Sequence, residues 1–492
     1  MLKESEILHF ISEDKTSTKK QLAKVGQRYY EAEHDILQYR LFYYNADGKL
    51  VEDTTRSNMK IPHPFFTELV DQAVQYMLSG KDANGELKLI KSDNPNLQTR
   101  LDEYFDDDFI SELSEVLTGT MSKGFDYMYA YMNAEGRLAF QHADSLGVVE
   151  VRAKDTDDGC EYVIFWYVDR IAKQDKTIKR IQVWDKKGTT FYVQEEDGKL
   201  QKDSKEKLNP RPHVTYKKDG DDAIYYENFG FIPFFRLDNC KKQWSGLKPI
   251  KPLIDDYDLM SCGLSNNLAD FDHPLHVVKG FKGDNLDELQ TNLKTKKMIG
   301  VGNEGGVEVH TVDIPYQARV AKMTEDEKNI YRFGMGFNSA QLGDGNVTNV
   351  VIKSRYALLD LKCNKLEIRM KQFLKKILKV VLAEINRVDG TDYQMKDVYF
   401  NFKREIMTNA SDNATIEKTD AEKQQIQINT LLSLANIFDD ETIIQNICEI
   451  LDLDYETIKS KLPEQEDNDL TEQEDILENI VPEDDLDGDV IE

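Results

Sequence analysis

Three groupings of side chains in this sequence are of types and spacings that could carry chemistry. Carboxylates cluster at Asp106-Asp107-Asp108 and again at Asp255, Asp256 and Asp258. Such clusters can hold divalent cations, and beside a cationic helix they would suit a metal-dependent enzyme that processes DNA, although in acidic proteins they are more often solvated surface. Asp272-His273-Pro274-Leu275-His276 offers two imidazoles, but no third ligand stands at a fixed spacing, so no metal site is expected. The glycines of Gly300-Val301-Gly302-Asn303-Glu304-Gly305-Gly306 match a dinucleotide fingerprint in letters. Residues of β pattern follow them and no helix does, so the segment reads as a hairpin. No Ser/His/Asp or Cys/His arrangement can be inferred. The five cysteines, Cys160, Cys240, Cys262, Cys363 and Cys448, are odd in number, scattered and never in Cys-x-x-Cys spacing, which fits reduced thiols and neither disulfides nor structural zinc. Neither catalysis nor a cofactor is expected.

The third grouping is cationic. Lys353, Arg355, Lys362, Lys365, Arg369, Lys371, Lys375, Lys376 and Lys379 stand against only Asp360 and Glu367, in a chain of net charge −27. Taken alone this is a solvated helix face; taken with its surroundings it could meet acidic neighbours or nucleic-acid phosphate. The element that carries it is well marked. From Ile352 the apolar residues fall at Tyr356, Leu359, Cys363, Leu366, Met370, Phe373, Ile377 and Val381, in steps of three and four, and no Pro or Gly interrupts Val350 to Leu382. At ~1.5 Å per residue this predicts a helix roughly 45 to 50 Å long, packed along a partner rather than inside a small globule.

The segments before it have a definite order. Gly246 to Phe271 places Ile250, Leu253, Tyr257, Met260, Leu264, Leu268 and Phe271 at helical spacing. Strand-like pieces follow around His276, Lys297 and Gly306, with a short helix over Asn285 to Lys294. A second helix is predicted over Met323 to Phe337, opened by Thr324 with Glu325 and Glu327 in its first turn. The loop Gly336 to Asn349 then holds Gly343, Gly345 and Asn346 as turn formers and Thr348 or Asn349 as N-cap, without the Lys of a phosphate-binding loop.

Elsewhere the chain predicts a polar surface helix from about Thr18 to Phe42 and helix over residues 97–130. Strands are predicted over Tyr127 to Phe140 and over 147–154, 161–170, 178–186 and 190–194, with turns at Asn133-Ala134-Glu135-Gly136 and Lys186-Lys187-Gly188. Lys199 to Asp222 reads as a mobile loop, Tyr399 to Phe402 as one more strand, and Asn409 to Leu462 as helical, with Ile426, Leu431, Leu434, Ile437, Ile443 and Ile447 supplying apolar faces. From Glu464 to Glu492 there are fourteen acidic residues and no Lys or Arg, a composition expected to stay disordered and solvated.

This sequence resembles the portal proteins, or head-to-tail connectors, of tailed bacteriophages, of the type found in long-tailed phages of Gram-positive hosts. The resemblance runs to about Leu462 and is most specific at three places. These are Asn58-Met59-Lys60-Ile61-Pro62-His63-Pro64 leading into Phe65 to Gly80; Asn228 to Asn239 followed by Ser245-Gly246-Leu247-Lys248-Pro249-Ile250; and the helix, loop and long-helix series. One departure is Val347-Thr348-Asn349-Val350, where relatives often carry Ser-Gly.

The resemblance implies an α+β, ring-forming portal fold: N-terminal helix and α+β wing over 1–245, a first stem helix over 246–271, a small α+β clip over 272–317 and a second stem helix over 318–338. A tunnel loop over 339–350 would follow, then a long helix with its return to the wing over 351–408, a helical crown over 409–462 and the acidic tail over 463–492. It implies a homo-oligomer, twelve copies in the virion and twelve or thirteen when expressed alone, at one capsid vertex, assembled in the host cytoplasm. Double-stranded DNA would pass through the axis without sequence specificity. Gly343, Asp344, Gly345, Asn346, Val347, Thr348 and Asn349 would form the loop around it, with Lys353 and Arg355 as basic candidates. His276, Lys279, Lys282, Lys294, Lys296 and Lys297 would mark the clip surface for the terminase large subunit and, later, a head-completion or adaptor protein. Scaffolding and major capsid proteins are the remaining implied partners. A helical scaffold or adaptor without a channel is the further alternative.

Composition bounds these readings: 492 residues, 40% hydrophobic and 31% charged, can bury several cores. No signal-peptide pattern and no run of about 18 apolar residues stands out, so no membrane role is expected.

Overall fold

The computed structural model describes residues 2–81, 85–133, 135–152, 159–171, 176–195, 198–217, 224–271, 275–281, 301–310, 314–338, 349–405, 410–434, 440–451 and residues 287, 289, 438 and 455. The chain divides into two units, Met1–Met407 and Thr408–Glu492.

In the first unit the chain opens with two helices, α1 (Glu4–Thr16) and α2 (Thr18–Tyr30). Ser17 separates them in an extended conformation and caps α2, its hydroxyl accepting from the Lys20 amide. The surface helix expected from Thr18 to Phe42 is corrected on both counts. It stops at Tyr30, followed by Ala32 in the left-handed region, and Lys20, Ala23, Gly26 and Tyr29 are buried. After a 3-10 turn over Asp35–Gln38 comes a hairpin of β1 (Phe42–Tyr44) and β2 (Leu50–Glu52), turned by Asn45 to Gly48.

Next come α3 (Phe65–Met77), β3 (Ile90–Lys91), α4 (Pro95–Tyr104) and α5 (Asp107–Lys123). Asn94 caps α4, with Pro95 at its first position, where the missing amide costs nothing. Gly124 ends α5 at φ +99°, and a Cβ there would stand 2.3 Å from the Gln243 carbonyl oxygen, so only glycine fits. That glycine is why the helix expected to reach residue 130 stops and a strand begins.

The strands follow largely where alternation placed them: β4 (Phe125–Met132), β5 (Leu138–Ala143), β6 (Val148–Arg152), β7 (Cys160–Ile171), β8 (Lys176–Asp185) and β9 (Gly188–Glu195). β10 (Gln201–Lys202), β11 (Val214–Lys217), β12 (Ile224–Glu227) and β13 (Phe234–Asp238) complete the region. One sheet runs β10-β9-β8-β7-β6 and another β13-β4-β5, with antiparallel neighbours throughout. The mobile loop expected from Lys199 to Asp222 is corrected for its described part. Leu200 and His213 are buried and β11 pairs with β12, because β9 and the rings of Trp184 and Phe229 supply partners that the polar local sequence does not advertise.

Buried charges pin α2 and α5 to this sheet region; Lys20 of α2 donates to the Val148 carbonyl at 2.6 Å. Lys123 donates to Asp126 and Asp144 at 2.8 and 2.7 Å, and His142 shares Asp126 at 2.9 Å. Arg236 holds Glu150 at 2.6 Å; burial raises the carboxyl, but the Arg236 and Lys19 charges outweigh it and keep it below its ordinary value.

After a turn over residues 246–250 come α6 (Lys251–Phe271), β14 (Leu275–Phe281), β15 (Val301–His310) and α7 (Tyr316–Gly334). The α7 helix begins seven residues before the expected Met323. Thr324 caps nothing; its hydroxyl donates to the Val320 carbonyl in mid-helix. On α6 the residues that go inside are Ile254, Asp258 and Cys262, whereas Leu268, expected on the apolar stripe, is 53% exposed.

The long helix α8 (Asn349–Asp389) has 41 residues and is about 60 Å long, more than the sequence promised. Its apolar stripe from Leu359 through Cys363, Leu366, Met370, Phe373 and Ile377 to Val381 is buried. At about 1.5–3 kcal/mol per buried side chain it is the largest single seam of the core. The partner that covers it is the chain itself: α3, α4, β13 and the region around β16 (Tyr399–Phe400), which pairs with β3. Arg404, nearly buried, clamps this helix from outside through Asp360, Asn364 and Glu367.

In the second unit α9 (Ala410–Ser433) packs with α10 (Asp440–Ile450). Ile443 and Cys448 are buried, but Ile426, expected on an apolar face, is 65% exposed. The acidic tail lies outside the described residues.

Two outcomes follow. A Cβ on Gly26 would lie 2.0 Å from the Ser122 carbonyl oxygen, where α2 crosses α5. Gly26→Ala should therefore cost about 1–3 kcal/mol in denaturant unfolding, and a loss below about 0.5 would show that the two helices re-seat freely. Lys362, expected on the solvated face, instead turns inward to donate to the carbonyls of Leu69 and Gly334, both at 3.2 Å. Burial pushes its ammonium from 10.5 down to about 8. Between those values the unfolded chain binds the extra proton, so this group makes stability rise as pH increases from 8 to 10.5. Lys362→Met should remove that rise, so wild type should gain stability relative to the variant from pH 8 to 10.

Candidate functional site

The segment from α6 to α8 is an antiparallel helix pair followed by the long helix. α6 and α7 run antiparallel, since Asp256 meets Lys322 and, one turn further along α6, the Met260 carbonyl meets Arg319. Between them β14 and β15 pair antiparallel, with His276 opposite Val309 and Lys279 opposite Gly306. A register shift at Gly280 (φ +68°) lets the strands pass at close quarters. The residues of the apparent dinucleotide fingerprint from Val301 to Gly306 lie within β15, so no phosphate cradle forms there.

Of the candidate clip residues, Lys279 is exposed and paired with Glu308 at 2.6 Å, and His276 lies in β14. Lys282, Lys294, Lys296 and Lys297 lie outside the described residues, as do Gly343, Asp344, Gly345, Asn346, Val347 and Thr348. Asn349 opens α8. Of the basic candidates one turn further on, Lys353 is exposed. Arg355 is half-buried, with Nη1 enclosed and making no hydrogen bond to a described residue. Lys375, Lys376 and Lys379 remain on the exposed side, so the cationic face is real but interrupted where Lys362 turns inward.

The carboxylate groupings are each engaged. Asp106 is the N-cap of α5, accepting from the Phe109 amide at 2.9 Å, and Asp107 and Asp108 sit in the first turn, where the helix dipole favours them. On α6 the three aspartates each face a different set of partners. Asp255 accepts from Tyr29 and Lys251, Asp256 from Lys322, and Asp258, fully buried, takes His34 at 2.6 Å and His63 at 2.8 Å. Although burial raises Asp258, the two imidazoles hold it below its ordinary value. These contacts join α6 to the segments before and after the β1–β2 hairpin. Sequence reading missed this anchor, because His34 and His63 are 224 and 195 residues from Asp258.

A cleft of about 390 Å³ brings Tyr127, Glu150, Cys160 and Arg236 together. Its thiol is pushed up to about 11 by burial and its carboxylate is held by Arg236, so it contains no activated nucleophile. All five cysteines are free thiols, Cys262, Cys363 and Cys448 buried and the other two half-buried. Among the described residues no helix is long and apolar enough to cross a membrane.

The family model described as phage portal protein, SPP1 Gp6-like, matches residues 8–469. The chain is similar to the portal protein of Bacillus phage SPP1, 28% identical over 390 residues that cover 79% of this chain and 75% of that one. It is also similar to the portal protein of Clostridium phage phiCD119, 24% identical over 412 residues, 78% of this chain and 85% of that one. Both relatives come from phages of Gram-positive hosts, as the sequence resemblance anticipated. Portal proteins are structural, non-enzymatic proteins of an oligomeric assembly at a capsid vertex. The helix, strand pair, helix and long-helix order, and a match over nearly the whole length, lead to one assignment: this chain belongs to the SPP1 Gp6-like family of phage portal proteins.

Proposed function

We propose that copies of this chain close into the twelve-membered portal ring of a phage head, the conduit for double-stranded DNA during packaging and ejection. The observation that carries this is the segment Lys251 to Asp389: an antiparallel helix pair tipped by two strands, then a helix about 60 Å long braced in the core. In this reading α6 and α7 are the stem, β14 and β15 belong to the clip over 272–317, the sheets before residue 245 form the wing, and 409–462 is the crown. The clip, with His276, Lys279, Lys282, Lys294, Lys296 and Lys297, receives the terminase large subunit and later a head-completion protein. Scaffolding and major capsid proteins contact the same particle during assembly.

A ring of chains each carrying −27 repels phosphate over most of its surface, which keeps DNA from adhering as it moves. The loop from Gly343 to Asn349 surrounds the duplex, and Lys353 and Arg355 give weak, salt-sensitive backbone contacts that read no sequence. The chain binds DNA only as a moving cargo and hydrolyses nothing.

Two measurements check this. Light scattering and single-particle class averages of the purified chain should give a ring of twelve or thirteen copies with an axial hole, about 680 kDa for twelve chains of 56.8 kDa; a stable dimer with nuclease activity would sink the reading. Lys353→Glu, or deletion of 342–348, should leave rings intact and reduce the DNA packaged per head, whereas full-length packaging by both variants would remove the loop from the mechanism.

A further inference from the structure

Among the apolar faces that the described part of the first unit leaves uncovered, two are extended and unlike each other. One belongs to the arm from Tyr39 to Ile61. Its hairpin pairs Tyr44 with Leu50 and Phe42 with Glu52. Because side chains alternate across a strand, Phe42, Tyr44 and Leu50 share a face, and they are 49, 72 and 59% exposed. A hairpin with no third strand is marginal in water, and this one has none among the described residues. Beyond the hairpin the arm lies along α6: the Ser57, Met59 and Ile61 amides donate to Asp270, Asn266 and Cys262, and Met59 and Ile61 stay about half exposed. The second face is on α8, away from the buried stripe. Val351, Leu358, Leu361 and Ile368, in steps of seven, three and seven, are 42, 39, 58 and 64% exposed. That is the spacing of a helix seam awaiting a partner.

The two faces belong to different elements, the arm that rests on α6 and the outer side of α8. Unlike faces that fit each other allow head-to-tail association, in which every copy uses both.

We propose that the Phe42–Tyr44–Leu50 face of one copy docks on the Leu358–Leu361–Ile368 stripe of the next copy around the ring. The inference rests on the portal reading and gives it a specific contact. The chemistry is complementary. Lys365 and Arg369 interleave the aliphatic stripe, and cations are attracted to the faces of Phe and Tyr rings. The area fits one contact among several in a ring interface. The exposed parts of Phe42, Tyr44 and Leu50 amount to on the order of 300 Å², a sizeable share of the roughly 800 Å² that one partner contributes to a standard interface.

The test uses the full chain carrying Tyr44→Cys and Leu361→Cys, oxidised after assembly. A covalent ladder should run up to the closed ring for the double variant, and equal mixtures of the two single variants should stop at dimers. Tyr44→Asp with Leu50→Asp should weaken assembly at least about tenfold while leaving the monomer's melting midpoint unchanged. Particles of ring mass that give no pair-dependent ladder, or that assemble normally with both aspartates, overturn this contact and leave the portal reading standing. Cross-linking by Tyr44→Cys alone would show the hairpin meeting another hairpin, and also overturns it. A wild-type chain that stays monomeric at every concentration removes both readings together.

Discussion

A helix about 60 Å long with one continuous apolar stripe must be covered along its length, and no single neighbour of ordinary size can do that. The first unit is organised around this demand. α3 and α4, the strand β13 and the segment around β16 reach the same helix from distant parts of the sequence. The closeness of that approach explains several local features: Lys362 is drawn in far enough to donate to backbone carbonyls of α3 and α7, and Cys363 reaches the Ala73 carbonyl.

Charge is handled in the same economical way. The chain is strongly acidic, yet many of its cations are used inside, each against a named anion: Lys123 against Asp126 and Asp144, Arg236 against Glu150, and Arg404 against Asp360 and Glu367. Leaving one partner of such a pair buried alone would be far more costly than any exposed pair is worth. The pairs therefore specify which elements meet. In the proposed function the acidic excess of the chain keeps the channel from holding its cargo.

The buried triad of His34, Asp258 and His63 shows how a sequence can mislead about chemistry. Asp255, Asp256 and Asp258 have the composition of a metal site, but successive helical positions point around the axis, and each finds a different partner. Chemistry-like letters became three structural anchors. The same holds for Asp106, whose carboxylate closes a helix end.

Much of the fold was legible because its signals are local. Alternation over Phe125 to Glu195 and three-four spacing over Ile352 to Val381 each depend on a residue's near neighbours, so strands and the long helix could be placed from the sequence alone. The turn residues Asn45-Ala46-Asp47-Gly48 are a local signal as well, just beyond the helix expected to end at Phe42, and carried no expectation. The candidate site was only partly legible: order of elements and cationic face could be read, while the burial of Lys362 and the half-burial of Arg355 could not. Those depend on which surfaces approach, as do the seating of α2 on α5 at Gly26 and the burial of Leu200 and His213 in a polar stretch. The sequence by itself determined where helices and strands form, since backbone periodicity and turn chemistry act over a few residues. Only the tertiary structure decided which charges are spent inside and which apolar faces stay open, because desolvation and pairing depend on groups brought together from positions as far apart as Leu69 and Lys362, 293 residues along the chain.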